Sequence, residues 1–182
     1  MNVRIIAGTY GGRLIAAPPG KRTHPMSERI RNALFNSIGS EVAGASVLDA
    51  FAGTGAIGLE ALSRGAHDAT FIERDRVAQK VLQENINLLG ASNAHLIRSS
   101  VAAWLDTTAG SQRYDIIFAD PPYHDGQFST VKRLFGLLKP NGLMVLSHID
   151  TGEVPAQDDI VVVDNRSYGN ANLTLYRRDT SH

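Results

Sequence analysis

The residues best suited to chemistry are Asp120-Pro121-Pro122-Tyr123, directly after the apolar run Tyr114-Asp115-Ile116-Ile117-Phe118-Ala119. The junction reads as a buried strand emerging into a rigid, acidic and aromatic corner. Two consecutive prolines hold φ at about −65° and remove two backbone donors, so the Asp120 carboxylate and the Pro121 carbonyl are offered as acceptors with little flexing. An acceptor pair beside an aromatic face suits a flat base carrying an NH2 group. Alone, the tetrapeptide is equally readable as a strand-ending turn, because proline clusters commonly end strands.

A second constellation runs from Asp49 to Gly58, where Gly53, Gly55 and Gly58 fit the spacing G-x-G-x-x-G between a strand and a helix. That spacing alone is often only turn chemistry. Its context adds weight, because Glu73 lies twenty positions after Gly53 and ends the next strand pattern, where a carboxylate can accept both ribose hydroxyls of an adenosine. Asp49 distinguishes between nucleotides. A carboxylate there repels a pyrophosphate and attracts a cationic amine, which favours S-adenosylmethionine over a dinucleotide. Ser99-Ser100-Val101 either flanks the adenine or caps the helix that follows. The positions assigned to the cofactor are Asp49, Phe51, Gly53, Thr54, Gly55, Glu73, Arg74, Ser100, Val101 and Asp120. In the catalytic set of Asp120, Pro121 and Tyr123, the first two draw an amine nitrogen toward tetrahedral geometry and the tyrosine stacks on the base.

Alternating strand and helix patterns must position these groups. Strands are expected at Ser46–Ala50, Ala69–Glu73, Ala94–Arg98, Tyr114–Ala119 and Leu143–His148, with helices at Ala56–Arg64, Arg76–Leu89, Val101–Leu105 and Phe128–Leu138 between them. This repeat indicates an α/β fold with a mostly parallel sheet and helices on both faces. Ile160–Asp164 and Asn172–Arg177 follow without an intervening helix, so they form an antiparallel pair that brings the sheet to seven strands. Ahead of this core, Val3–Ala7 and Arg13–Ala17 read as a small hairpin. A helix at Glu28–Ile38 follows, capped by Ser27 and buried through Ile30, Ala33, Leu34, Ser37 and Ile38, with Arg29 and Arg31 on other faces.

At 182 residues the chain fits one domain, with residues 1–26 as an N-terminal extension and 27–182 as the catalytic core. No apolar stretch reaches the ~18 residues of a membrane span, and Arg4 and Arg13 interrupt anything resembling a secretory signal. The absence of cysteine excludes disulfides and fits a cytoplasmic location. His24, His124 and His148 show no metal-binding spacing, so no metal is expected. Trp104 on a short amphipathic helix reads as core.

Net charge is zero, yet residues 1–40 hold six cations against Glu28 alone, a local +5 that leaves −5 for the remainder. Within a Debye length of about 8–10 Å such an arm reads as a patch for a polyanion such as nucleic acid, or else as a solvated basic face. Arg4, Arg13, Arg22, Arg29 and Arg31 are the cations assigned to a nucleic-acid substrate.

Arg4-Ile5-Ile6-Ala7-Gly8, Gly11-Gly12-Arg13 and Ser27-Glu28-Arg29-Ile30-Arg31-Asn32-Ala33-Leu34-Phe35-Asn36 resemble the signatures of the bacterial RsmD-like ribosomal small-subunit guanine-N2 methyltransferases. Together with Asp49 to Gly58 and Asp120 to Tyr123, the resemblance covers nearly the whole chain. It implies a Rossmann-like class I methyltransferase fold and transfer of a methyl group from S-adenosylmethionine to N2 of one guanine in 16S rRNA of the small ribosomal subunit, by a monomer. The sequence departs from the family at His24-Pro25-Met26-Ser27-Glu28, where Arg-Pro-Thr followed by an aspartate is usual, and at Ser100, where Asn or Asp is common. Methylation of DNA adenine or a protein glutamine, and a non-catalytic RNA-binding assembly role, remain as alternatives.

Overall fold

The computed structural model describes residues 2–18, 26–108, 112–122, 127–149, 154–169 and 171–180. An N-terminal antiparallel pair, β1 (Asn2–Arg4) and β2 (Leu14–Ala16), precedes helix α1 (Glu28–Ile38). The Ser27 hydroxyl accepts the Ile30 N–H at 3.2 Å and starts α1. From there strands and helices alternate as β3 (Ser46–Ala50), α2 (Ala56–Ser63), β4 (Asp68–Glu73), α3 (Arg76–Leu89), β5 (Ala94–Arg98), α4 (Val101–Thr108), β6 (Tyr114–Ala119), α5 (Phe128–Leu134) and β7 (Leu138–His148). The chain then turns back through β8 (Ile160–Tyr168) and β9 (Ala171–Arg178).

The seven-stranded sheet has the order β5-β4-β3-β6-β7-β9-β8. Strands β5 to β7 in that order are parallel, and β9 pairs antiparallel with both β7 and β8. Alternation along each buried strand feeds two cores, one per face. Val47, Phe71 and Phe118 pack in one cluster with Leu34, Leu59 and Leu82 from α1, α2 and α3, while Leu48, Ile72 and Ile117 join Trp104, Leu105 and Val131 from α4 and α5 in the other. No helix among the described residues is long and apolar enough to cross a membrane.

The hairpin strands are shorter than expected, while α4 runs on to Thr108 and β8 to Tyr168, and three further expectations change. The helix expected over Phe128–Leu138 ends at Leu134 and tightens into a 3-10 turn, Phe135–Leu137. Strand β7 starts at Leu138 rather than Leu143, because Lys139-Pro140-Asn141-Gly142, which reads as a turn, lies within an irregular stretch where Tyr114 pairs Leu138 but Ile116 pairs Leu143. The buried face of α1 is Arg31, Leu34, Phe35 and Ile38, so Arg31 points inward at helical spacing from the apolar residues and Ser37 is exposed.

Candidate active site

Strand order reverses between β3 and β6, whose neighbours β4 and β7 lie on opposite sides, and in open α/β sheets ligands bind beyond the carboxyl ends of the strands at such a switch point. Register sets what meets there. Ala50 pairs with Ile72 on one side and Ala119 on the other, so Phe51, Glu73 and Asp120 leave the sheet at the same level. Glu73 in turn pairs Arg98, which brings Ser99 and Ser100 beside Arg74.

The glycine turn is held by the sheet around it. Glu73 is half-buried and accepts two backbone N–H groups, from Gly53 at 2.8 Å and from Asp75 at 2.7 Å, which fixes its carboxylate over the turn. Phe51 has φ 60, an uncommon left-handed conformation for an aromatic residue, and such strain tends to collect at functional sites. Gly55 has φ 82, and a Cβ there would lie 2.2 Å from Leu82 Cδ1 of α3. At Gly58 a Cβ would lie 2.3 Å from Phe71 Cε1, so the third glycine lets α2 pack directly on β4.

Asp49 is 1 % exposed and accepts the Gly58 N–H through Oδ2 at 3.0 Å. Burial, together with the nearby charges of Asp120 and Glu73, pushes its carboxyl well above the usual carboxylate range, opposed by the Gly58 hydrogen bond. Burial raises Asp120 to about 6, moderated by a hydrogen bond from the Ser147 hydroxyl of β7. Three carboxylates thus gather at the ends of β3, β4 and β6, and among the described residues none of them enters an ion pair. A cationic ligand suits such a cluster, because it favours the ionised form of every member.

Other assigned residues have structural duties. Thr54 is buried, its hydroxyl accepting the Ala56 N–H at 3.3 Å at the start of α2. The Ser100 hydroxyl accepts the Ala103 N–H at 3.1 Å, the capping role weighed above, and retains its own O–H to donate. The Val101 side chain is core, so only its backbone is available to an adenine. Arg74 is exposed. Pro121 is buried and Pro122 exposed, whereas Tyr123 lies outside the described residues.

The basic arm divides. Arg13 and Arg29 are exposed, and Arg13 Nη2 donates to the Leu88 carbonyl at 2.9 Å. Arg4 is exposed but ion-paired with Glu28, and Arg22 lies outside the described residues. Arg31 cannot contact RNA. It is 0 % exposed, with Nε 3.4 Å from Glu60 Oε1 and with side-chain donors to the Met26 and Arg4 carbonyls. A guanidinium enters the core here because a buried carboxylate and carbonyls wait for it.

Sequence reasoning missed that carboxylate. Glu60, buried on α2, accepts the Ile6 and Ala7 N–H groups at 2.9 and 3.2 Å and Arg64 Nε at 2.8 Å. The Arg64 guanidinium also lies over the Phe35 ring, 5.1 Å from its centroid. Asn85 of α3 and Ser147 of β7 were missed as well. The available signals were a buried-face acid on an otherwise apolar helix and an asparagine on the core stripe of α3.

Residues 3–177 match the family described as Conserved hypothetical protein 95. Ribosomal RNA small subunit methyltransferase D of Escherichia coli strain K12 is 33% identical over 184 residues, covering 97% of this chain and 90% of the relative. The protein of that name from Haemophilus influenzae is 30% identical over 96% of this chain and 93% of its own length. Among solved structures, the yhhF protein of Escherichia coli superimposes with a TM-score of 0.84 at 34% identity, covering 98% of this chain and 99% of that one. TrmN from Thermus thermophilus shares the fold with a TM-score of 0.69 at 23% identity, over 82% of this chain and 48% of its own. This chain belongs to the ribosomal RNA small subunit methyltransferase D family and is a methyltransferase with the class I fold.

Proposed function

We propose that the chain uses S-adenosylmethionine to methylate the exocyclic N2 amine of a guanine in 16S rRNA of the small ribosomal subunit. The observation that carries the reading is the convergence of Asp49, Glu73 and Asp120 around a glycine turn at the switch point of the sheet. This donor set fits the cofactor: Glu73 suits vicinal ribose hydroxyls, and a carboxylate cluster suits a ligand with an amine and a sulfonium. The relatives' names support a small-subunit rRNA substrate. The choice of guanine N2 rests on the resemblance of the N-terminal and first-helix segments to that family.

When bound, S-adenosylmethionine supplies a methyl carbon on a sulfonium that leaves as a neutral thioether. The protein's part is alignment. The Asp120 carboxylate and Pro121 carbonyl would accept hydrogen bonds from the base NH2, withdrawing its lone pair from the ring and orienting it for transfer. As nitrogen gains the methyl group it becomes acidic, and Asp120, with its carboxyl near 6, takes the proton and releases it to water. Tyr123 then serves as the stacking platform.

The deciding experiment transfers labelled methyl from S-adenosylmethionine to small subunits from cells lacking this activity and maps the product by mass spectrometry. Methyl found only on adenine, DNA or protein overturns the substrate. Glu73→Ala should weaken S-adenosylhomocysteine binding by about 10–100-fold in calorimetry, since a charge-assisted hydrogen bond is worth about 1.5–3 kcal/mol. Unchanged affinity removes Glu73 from the site. Arg13→Ala and Arg29→Ala should each reduce the salt slope of RNA binding by about 1, measured between about 50 and 200 mM salt. A slope identical to wild type discards the arm.

A further inference from the structure

The N-terminal hairpin and the glycine turn are far apart in sequence but share one side chain. Asn85 is 1 % exposed on α3, and its Oδ1 accepts the Ala16 N–H of β2 at 2.9 Å. Its Nδ2 donates to the Ala16 carbonyl at 2.9 Å and to the Thr54 carbonyl at 3.0 Å. Toward Ala16 the carboxamide behaves as the next strand of a sheet would, taking the N–H and C=O of a single residue. Toward Thr54 it grips the middle of the turn from Gly53 to Gly55. The peptide unit joining Thr54 to Gly55 is held at both ends, because the Gly55 N–H donates to the Ala52 carbonyl at 2.8 Å. No other residue type of this size offers an acceptor and two donors in one plane.

We propose that Asn85 is a positioning residue that couples the seating of the N-terminal hairpin to the shape of the cofactor turn. A hairpin held against RNA keeps Ala16 in place, Ala16 orients the Asn85 carboxamide, and the carboxamide keeps the Thr54–Gly55 peptide plane in its binding orientation. Loss of the hairpin contact leaves a buried amide with two unmet partners and a turn with one end released, which costs cofactor affinity. Coupling of this kind is reciprocal, so cofactor binding must equally hold the hairpin. The inference rests on the reading of the glycine turn as a cofactor site and of the arm as an RNA grip.

The reciprocal direction gives a test that needs neither RNA nor turnover. Amide hydrogen exchange is followed on the full chain with and without saturating S-adenosylhomocysteine, with saturation set by calorimetry on the same samples. The Ala16 N–H reports the Asn85 bond directly. Exchange at Ala16 should slow by about fivefold or more on binding, the low end of typical coupling between sites. In Asn85→Ala the slowing at Ala16 should vanish while protection at Gly53, bonded to Glu73, persists. Binding that protects Gly53 but leaves Ala16 unchanged in the wild-type chain overturns the coupling, whether or not the variant folds. Slowing that survives in Asn85→Ala also overturns it. Absence of any S-adenosylhomocysteine binding instead removes the cofactor reading itself.

Discussion

Asp120→Asn should abolish most methyl transfer and make the protein more stable at the same time. Asparagine keeps the size of the side chain and an oxygen to accept the Ser147 hydroxyl, but it removes the anionic acceptor and proton sink from the corner. Loss of those roles should lower kcat by roughly 10²–10⁴-fold. S-adenosylhomocysteine affinity should fall far less than kcat, since its neutral sulfur makes no demand on Asp120 and its amine keeps the Asp49 carboxylate. The stability gain follows from the raised carboxyl. Asp120 titrates near 6 in the folded chain against an ordinary 3.8, so the native state holds a proton that the unfolded chain has already released. Stability from this group is fully present below the unfolded value and is lost as pH rises through the folded one. Above that window the ionised native state has lost about 3 kcal/mol, which an uncharged amide does not lose. At pH about 7.5 the variant should melt about 6–12 °C higher than wild type, and below about pH 4 the difference should close. Activity has the opposite dependence on pH. Wild-type kcat/KM should fall about tenfold per pH unit below about 6, because protonated Asp120 presents a donor where the base needs an acceptor. Full turnover in Asp120→Asn removes this residue from the mechanism, and an unshifted melting temperature at neutral pH removes the buried-charge account.

That prediction begins from a corner visible in the sequence, but the value of Asp120 depends on a contact that was not. Asp120 and Pro121 follow a strand whose limits, Tyr114–Ala119, are readable because a fully buried parallel strand is a continuous apolar run between polar ends. Strands Ser46–Ala50 and Ala94–Arg98 and helices Glu28–Ile38 and Arg76–Leu89 also form over their expected residues, since strong periodicity and caps such as Ser27 and Asp75 act locally. Ser147 reaches Asp120 only because β6 and β7 are neighbours, a fact of sheet order with no local signature. The same holds for Asn85, which meets a partner 69 positions away, and for Glu60, which meets backbone groups 54 and 53 positions away. Arg31 was misread for a related reason. An arginine on a helix in a basic segment is ordinarily solvated, and only its distant acid makes the inward face affordable.

Glu60→Ala should destabilise the fold by about 3–5 kcal/mol. The carboxylate is fully buried and serves two arginines and two backbone N–H groups, so its removal leaves Arg31 charged in the core and the Ile6 and Ala7 amides without their acceptor. Among the described residues Arg31 Nε has no hydrogen-bond partner and depends on Coulomb attraction across 3.4 Å. The penalty is therefore mostly that of an uncompensated cation rather than of a lost contact. A second substitution separates these causes. Arg31→Met in the Glu60→Ala background deletes the stranded charge and should restore about 1–3 kcal/mol, so the coupling of the pair is that amount plus the cost of Arg31→Met alone. Arg31→Met alone should cost less than Glu60→Ala, because Arg64 still neutralises the acid at 2.8 Å. Chemical denaturation of the four proteins closes the cycle. Additive losses would show that Arg31 and Glu60 act independently, and that the Met26 and Arg4 carbonyls rather than the acid hold the buried guanidinium. Coupled losses place the first-helix signature in the scaffold, where Arg31 joins α1 and β1 to the helix that opens from the glycine turn.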